Sequence, residues 1–146
     1  MQLDSKDRAL LALIEQNCRL SNAEMAEKLG MSTSACWRRI KAFEEGGIIQ
    51  RYGAVLDRAA MGMQFHAIVH VQLHRHEAVQ GQEFNRAVRL RDEVRDCYAT
   101  TGEADYHLRV LCPDLDAYNR FLDEFLFRSP AVRSAQTNVI LRDIKG

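Results

Sequence analysis

Residues 32–47 read STSACWRRIKAFEEGG, and this stretch decides the fold of the first part of the chain. On a helical wheel with about 3.6 residues per turn, Cys36, Ile40 and Phe43 fall on one face, which predicts a side packed against other helices. The opposite face carries a hydroxyl, an aromatic ring and cations. These residues are Ser34, Trp37, Arg38 and Lys41, with Arg39 at the flank. The pattern therefore predicts a helix with one buried side and one exposed, cationic side.

Two further helices are predicted before this stretch. Asp4 is a suitable N-cap for a first helix, whose apolar residues recur at helical spacing as far as Ile14. Ser21 and Glu24 have the spacing of a capping box, which predicts the start of a second helix, and Gly30 suits a left-handed stop at its end. Three short helices, the last two joined by a tight turn containing glycine, form a helix-turn-helix pattern.

The exposed side of the third helix has two interpretations. Arginines read guanine edges in a DNA major groove, while hydroxyls and a helix N-terminus contact phosphates. A solvated helix face also commonly carries Arg and Lys, but an outward Trp is unusual there and favours the DNA interpretation. The candidate DNA-binding residues are Ser32, Thr33, Ser34, Trp37, Arg38, Arg39 and Lys41.

The overall composition bounds the class of protein. The 146 residues suit one medium domain or two small ones, and 47% apolar residues suffice for a core. The formal net charge is zero, which argues weakly against indiscriminate nucleic-acid binding but leaves room for a local cationic patch. No apolar run is long enough to span a membrane, and the N-terminus does not resemble a signal peptide. We therefore expect a cytoplasmic protein without membrane partners.

The periodicity changes in the second half of the chain. Residues 48–56 are β-prone and predict a strand leading out of the helical unit, and a glycine-containing hinge places the domain boundary between residues 60 and 61. Strand and helix patterns then follow in the order βαββαβ, with the first helix over residues 77–90 and the last strand over residues 132–144. This is the ferredoxin-like order, in an α+β chain. Its sheet has helices on one face, so the other face needs a cover, most simply a second copy.

Histidines and cysteines give little support for a metal site. His66, His70 and His74 share one side of the first strand of the second domain, where neighbours on one side are roughly 6.8 Å apart, so one ion cannot join His66 to His70. His74 and His76 would supply only two ligands. We predict no metal site and place His66, His70 and His74 at a subunit interface. The four cysteines have no CxxC spacing and are expected to be reduced thiols.

Two longer patterns resemble those of a known family. DRALLALIEQNCRLSNAEMAEKLGMSTSACWRRIKAFEEGGIIQRY (residues 7–52) and TTGEADYHLRVLCPDLDAYNRFL (residues 100–122) are similar to the two halves of the Lrp/AsnC (feast/famine) transcription regulators. The resemblance covers nearly the whole chain. It implies a three-helix winged helix-turn-helix domain over residues 1–60, with a hinge strand, and a ferredoxin-like RAM domain over residues 61–146.

The resemblance also implies what the chain binds and how it assembles. Such proteins dimerise through the sheet, form larger rings that are often octamers, and bind a small effector, usually an amino acid, between dimers. Gly102, Asp105 and Tyr106 match the family's motif, and Asp105 is suited to hold an α-ammonium group; on the residues alone, an ordinary β-hairpin turn is the alternative. The implied effector-binding residues are Ala99, Thr100, Thr101, Gly102, Asp105, Tyr106, Leu115, Asn138, Val139 and Ile140.

We therefore expect a sequence-specific regulator that binds double-stranded DNA, responds to an amino acid and needs no other cofactor. An enzyme is disfavoured, because its candidate acid–base groups lack a nucleophile–base pair or a phosphate loop. Those groups are His70, His107, Asp105 and Glu103. Two alternatives stay open: a regulator that senses oxidants through Cys36 or Cys97, and a nucleoid-like architectural protein without an effector.

Overall fold

The structure, a computed structural model, describes residues 2–74 and 78–144. The chain folds as two compact units, Met1–Leu56 and Asp57–Gly146. The predicted boundary, between residues 60 and 61, lies shortly after the division between these units.

The first unit contains three helices, α1 (Ser5–Gln16), α2 (Asn22–Lys28) and α3 (Thr33–Glu45). Their starts follow the predicted capping chemistry. Asp4 and Ser21 each form a capping box, and Ser32 caps α3 by accepting a hydrogen bond from the Ala35 N–H. Gly30 has a φ of 58°, which confirms the predicted left-handed stop between α2 and α3.

One apolar cluster joins the three helices. Cys36, Ile40 and Phe43 of α3 are buried, as the helical wheel predicts, and they belong to the same cluster as Leu10 and Met25. Because burial of such side chains is the main stabilising term for short helices, this cluster determines which side of α3 is turned inward.

The predicted hinge strand over residues 48–56 is wrong for this chain. After α3 come turns, and residues 50–56 form neither helix nor strand. The N–H groups of Ile48 and Ile49 both donate to the carbonyl of Phe43, which turns the chain back onto the helix end. An extended segment by itself leaves its N–H and C=O groups unpaired, and residues 2–56 contain no strand to pair with it.

The second unit has the predicted βαββαβ order. Its elements are β1 (Phe65–Leu73), α4 (Ala78–Arg89), β2 (Val94–Ala99), β3 (Tyr106–Cys112), α5 (Leu115–Phe121) with a π-helical continuation (Leu122–Leu126), and β4 (Val132–Val139). The sheet order is β2-β3-β1-β4, with every neighbouring pair antiparallel. This is the ferredoxin-like arrangement.

The core of the second unit lies on one face of this sheet. Ala67, Val69 and Val71 of β1 are fully buried there against Phe84 of α4 and Phe121 of α5. The intervening residues of the strands point to the other face, where Ile68 and Tyr98 are exposed. The sheet thus presents an uncovered face in the single chain.

Two predicted elements differ in length. The last strand ends at Val139 rather than continuing to residue 144, and the predicted first residue of α4, Glu77, lies outside the described residues. Within residues 2–74 and 78–144, every helix is too short or too polar to cross a membrane.

Candidate nucleic-acid interface and effector site

The outward face of α3 holds most of the predicted DNA-binding residues. Ser32, Thr33, Ser34, Arg38 and Lys41 are exposed. Trp37 retains 50% of its accessible surface, a high value for a large aromatic side chain. The face therefore combines hydroxyls near the helix N-terminus with an accessible aromatic ring and cations.

The three cations of α3 have different surroundings. Lys41 lies over the Trp37 ring, with its Nζ 5.1 Å from the ring centroid, and 3.7 Å from the Oε1 of Glu45. Arg39 is paired with Asp4 and Asp7 of the α1 cap. Arg38 is exposed and, within residues 2–74 and 78–144, has no carboxylate within ion-pair distance. Arg38 is thus the uncompensated cation of this face.

Arg39 is bound by two carboxylates at once. Its Nη1 donates to the Oδ2 of Asp4 at 2.9 Å and to the Oδ1 of Asp7. The hydrogen bonds to Asp4 and then to Asp7 raise the pKa of the Arg39 guanidinium. The backbone N–H of Asp7, followed by Arg39, lowers the pKa of the Asp4 carboxyl. The structure therefore gives Arg39 an intramolecular partner that the helical wheel did not predict.

A groove of about 470 Å³ lies beside Trp37. Its apolar wall includes Ile14 and Met25, and Tyr52 closes one side by donating from its hydroxyl to the Oε1 of Glu44 at 2.7 Å. Burial, followed by that carboxylate, raises the pKa of Tyr52 to about 12, so Tyr52 is a neutral donor at neutral pH. Sequence reasoning missed Tyr52, because it assigned the segment of residues 48–56 to a strand leading away from the helices and predicted no contact with α3.

The predicted effector loop forms a tight hairpin between β2 and β3. Ala99 pairs with Tyr106, the Thr100 N–H donates to the Asp105 carbonyl at 3.0 Å, and Gly102 has a φ of 118°. Such a φ favours glycine, which explains why this residue type stands at the loop tip. The structure thus brings together Ala99, Thr100, Thr101, Gly102, Asp105 and Tyr106.

Asp105 has a structural partner at one carboxylate oxygen, while the other oxygen accepts no hydrogen bond within residues 2–74 and 78–144. Its Oδ2 accepts the Leu73 N–H at 2.7 Å, and its own N–H donates to the Val71 carbonyl at 2.9 Å. These bonds attach the loop to the end of β1. Asp105 therefore stabilises the turn through these bonds. Its carboxylate is exposed, so its second oxygen is accessible to a ligand.

The remaining predicted effector residues lie toward the other end of the sheet. Tyr106 pairs with Val71, whereas Asn138 pairs with Ile68, about 10 Å further along β1 at roughly 3.3 Å per residue. Val139 and Ile140 follow Asn138, and Leu115 begins α5 after the far end of β3. Within one chain the predicted effector set therefore extends toward two ends of the sheet, with Asn138 lining the same groove as Thr101.

A polar groove of about 510 Å³ runs along the uncovered sheet face between these ends. The His70 and His107 rings meet edge to face with centroids 4.7 Å apart, and the His70 Nε2 lies 3.0 Å from the Nδ2 of Asn138. The Gln72 Nε2 donates to the Glu103 carbonyl at 2.9 Å, which connects the groove to the loop. Strand alternation predicts which residues share this face, but the contact between His70 and His107 depends on β1 pairing with β3.

The cysteines and metal-ligating residues form no cluster in the part of the chain that the structure describes. No group of three His, Cys, Asp or Glu side chains there could hold a metal ion, and His76 lies outside the described residues. Burial raises the pKa of the Cys36 and Cys97 thiols. Because the thiolate is the reactive form, this disfavours both thiols as oxidant sensors at neutral pH.

Comparison with known proteins gives consistent matches for both units. The Lrp/AsnC ligand binding domain family matches residues 66–146, and the winged helix-turn-helix DNA-binding family matches residues 3–50. The leucine-responsive regulatory protein of Escherichia coli is 32% identical over 143 residues, which cover 98% of this chain and 87% of that protein.

Solved structures match over the same length. A transcriptional regulator from Neisseria meningitidis, in complex with L-Met, superposes with a TM-score of 0.95 at 32% identity, covering 99% of this chain and 94% of that one. An AsnC family transcriptional regulator from Agrobacterium tumefaciens superposes with a TM-score of 0.93 at 31% identity, with the same coverage.

Proposed function

The chain belongs to the Lrp/AsnC family of DNA-binding transcription regulators, and on that premise we propose which surfaces perform each part of its function. It is a regulator modulated by an amino-acid effector and not an enzyme. We assign operator binding to the outward face of α3 and effector binding to the second unit. Operator DNA lies in the cytoplasm, where we place the protein.

The uncompensated Arg38 carries the assignment of the DNA-binding face. An exposed guanidinium can bind a guanine edge or a phosphate without first breaking an ion pair. Ser32 uses its hydroxyl to accept the Ala35 N–H, so the N–H groups at the start of the first turn, at Thr33 and Ser34, stay available to a phosphate. Trp37 and Lys41 extend the same surface. We propose that these residues contact the major groove and its flanking phosphates.

Removing the Arg38 guanidinium should weaken operator binding. The probe is a labelled duplex selected from a random library by the wild-type protein, and fluorescence anisotropy gives its dissociation constant. We expect Arg38→Ala to weaken binding by about 10- to 100-fold, since a good bidentate base contact contributes roughly 1–3 kcal/mol. Arg19→Ala, which removes an exposed cation from outside α3, is the matched control. Equal affinities of Arg38→Ala and the wild type would contradict the assignment.

We propose that the effector binds at the hairpin of residues 99–106 and is completed by another subunit. The loop offers the second carboxylate oxygen of Asp105, Oδ1, to an α-ammonium group and open backbone at Gly102 to a carboxylate. Asn138 lines the same groove as Thr101 of this loop. Val139 pairs with Ala67, and Leu115 follows Cys112, which pairs with Phe65, so both lie about 13 Å or more along β1 from the Val71 end, at roughly 3.3 Å per residue. A site between subunits would bring the two groups together.

A thermal-shift screen against the twenty amino acids tests this proposal. L-Leu and L-Met come first, because they appear in the names of a similar regulator and a similar complex. A ligand of the native state at 100 times its Kd stabilises it by about 2.7 kcal/mol and raises Tm. Asp105→Asn can still accept the Leu73 N–H but has no charge for an ammonium group, so it should keep the ligand-free Tm and lose the ligand-induced rise. Indifference to all twenty amino acids would instead support an architectural protein without an effector.

We also propose that two copies pair through the uncovered sheet face and that dimers assemble further, with an octamer as the expected state. Exposed Ile68 and Tyr98 give this face apolar contact area among polar groups. Tyr98→Arg should shift the assembly toward smaller species in sedimentation velocity, because pairing would then bury a cation in the interface, opposite His107 of the adjacent strand. An unchanged sedimentation coefficient would rule out this face.

A further inference from the structure

The α1 cap and α3 are joined by an ion cluster of Arg39, Asp4 and Asp7. Each carboxylate uses one oxygen for the helix cap and the other for Arg39. Asp4 accepts the Asp7 N–H through Oδ1 at 2.7 Å, and Asp7 accepts the Asp4 N–H through Oδ2 at 2.9 Å, which together form the capping box. The remaining oxygen of each carboxylate accepts from the Arg39 Nη1. The same two residues that begin α1 therefore hold a side chain of α3.

This cluster connects parts of the chain that are far apart in sequence. Arg39 is 35 residues from Asp4 and 32 from Asp7. Asp7 is the one charged residue among the buried side chains of the described chain, with 8% of its surface accessible. A charge buried this far is stable only when paired, so the cluster fixes the geometry between the start of α1 and the middle of α3.

The position of Arg39 on α3 relates the ion cluster to the orientation of the outward face of this helix. Arg38 and Arg39 are consecutive, and consecutive residues of a helix with about 3.6 residues per turn point about 100° apart. Anchoring Arg39 to α1 therefore acts together with the buried apolar side of α3 to set the rotation of this helix about its own axis. That rotation decides whether Arg38 and Ser34 point outward together.

We propose that Arg39 is a positioning residue, which holds α3 in the rotation needed for operator binding and does not itself contact DNA. The inference rests on the proposed function of α3. Two carboxylates outnumber the single guanidinium, so the cluster has a formal charge of −1 and repels a phosphate rather than attracting one. Arg38, one residue earlier, is the cation available to DNA.

Neutralising the acids distinguishes this proposal from a direct DNA contact by Arg39. Asn at position 4 or 7 keeps one acceptor oxygen for the cap but turns an NH₂ group toward Arg39, so it removes one of the two carboxylates that hold Arg39 without uncapping α1. If Arg39 contacted DNA, its weaker intramolecular pairing and the loss of a negative charge would both strengthen binding. If Arg39 positions α3, Asp4→Asn and Asp7→Asn should instead weaken binding to the selected duplex, on the order of tenfold.

Glu15→Gln is the matched control for charge. Glu15 is an exposed acid of α1 and has no ion-pair partner within residues 2–74 and 78–144. Its removal changes the net charge as Asp4→Asn does but leaves the cluster intact, so we expect equal or slightly tighter binding. All measurements are made on the full chain at a temperature where thermal unfolding shows each variant to be folded.

A double-mutant cycle on binding completes the test. Arg39→Ala should weaken binding, and adding Asp7→Asn to Arg39→Ala should cause little further loss, because both changes remove the same support. The slope of log affinity against log salt should stay near the wild-type value in Arg39→Ala, since no phosphate contact is lost. Tighter binding by Asp4→Asn and Asp7→Asn, or a reduced salt slope in Arg39→Ala, would overturn the inference.

These outcomes separate the inference from the proposed function. If Arg38→Ala binds the selected duplex as well as the wild type does, the DNA-binding face itself is misassigned. If Arg38→Ala weakens binding while the two acid-to-amide variants strengthen it, the face is correct and only the positioning function of Arg39 fails.

Discussion

Arg38 and Arg39 follow each other in the chain but have opposite electrostatic surroundings. Arg39 lies between two carboxylates and has 31% of its side chain exposed, whereas Arg38 is exposed and has no carboxylate within reach among the residues the structure describes. A guanidinium that is already paired must lose that partner before it can bind a phosphate, and the unpaired one need not. One position along a helix thus separates a cation that supports the fold from one available to DNA.

Gly30 supports the same unit through its backbone conformation. A Cβ at this position would meet no atom within 4 Å, so a larger residue would be destabilising only because of the backbone φ of 58°. Gly30→Ala should lower the free energy of unfolding of the first unit by about 1 kcal/mol, measured by urea titration of Trp37 fluorescence. Gly53→Ala is the control, because its Cβ also meets open space and its φ is not positive. Equal losses in the two variants would contradict this explanation.

At the residue scale, the sequence predicts which side chains are buried better than it predicts their ion-pair partners. The helical wheel correctly places Cys36, Ile40 and Phe43 inside, because burial depends on periodicity within one helix. It places Arg39 at the flank of the exposed face but cannot identify its partners. Those partners lie more than 30 residues away and meet Arg39 only after α1 and α3 have packed.

At the element scale, local chemistry predicts helix starts and tertiary pairing decides strands. Capping residues act within one turn, so the starts of α1 and α2 are confirmed at the predicted caps. Residues 48–56 have β-prone side chains but no partner strand in their own unit, and they remain irregular. The last strand ends at Val139, where its pairing with β1 ends at Ala67.

The contact between α5 and β4 gives a second prediction. Tyr118 is buried on α5, and its hydroxyl shares a hydrogen bond with the Oγ1 of Thr137 on β4. Thr137→Val leaves that buried hydroxyl unpaired and should cost about 1–3 kcal/mol of unfolding free energy. Tyr118→Phe should cost less, because the half-buried Thr137 hydroxyl can still reach water. Unfolding followed by near-ultraviolet circular dichroism gives the free energy of unfolding of each variant. The double variant should lose less of this free energy than the two single variants lose in sum; simple additivity would argue against the bond.

At the scale of the whole molecule, the sheet face relates assembly to effector binding. The uncovered face joins the loop near Gln72 to Asn138 through the groove beside His70 and His107. Its polar lining could be predicted from strand alternation. The extension of the effector residues toward two ends could not, because it depends on the register between β1, β3 and β4.

This face should also make stability depend on pH. Burial, followed by the positive charge of Arg109, lowers the pKa of His66 below its usual value, while Asp143 acts in the opposite direction. When the pKa of a histidine is lower in the folded than in the unfolded chain, the unfolded chain takes up the proton first as the pH falls. The stability is therefore complete above about pH 6.5 and declines as the pH falls toward the folded pKa. Urea titrations followed by circular dichroism should therefore show less stability at pH 5.5 than at pH 7.5.

His66→Gln is the matched variant for this effect. It keeps a polar side chain that does not titrate in this range, so the decline between pH 7.5 and pH 5.5 should become smaller. Sedimentation of the wild type should show smaller species toward pH 5 if this face is the subunit interface. An identical pH dependence in His66→Gln and the wild type would exclude His66 as its cause.

The central claim, that the outward face of α3 binds operator DNA, has a direct optical test. Trp37 is the chain's single tryptophan and retains 50% of its accessible surface on that face, so intrinsic fluorescence reports this surface alone. Titration with the selected duplex should change the Trp37 emission with the same midpoint as the anisotropy of the labelled DNA, and Arg38→Ala should shift both midpoints together. Anisotropy that shows binding while the Trp37 emission stays unchanged would contradict the claim.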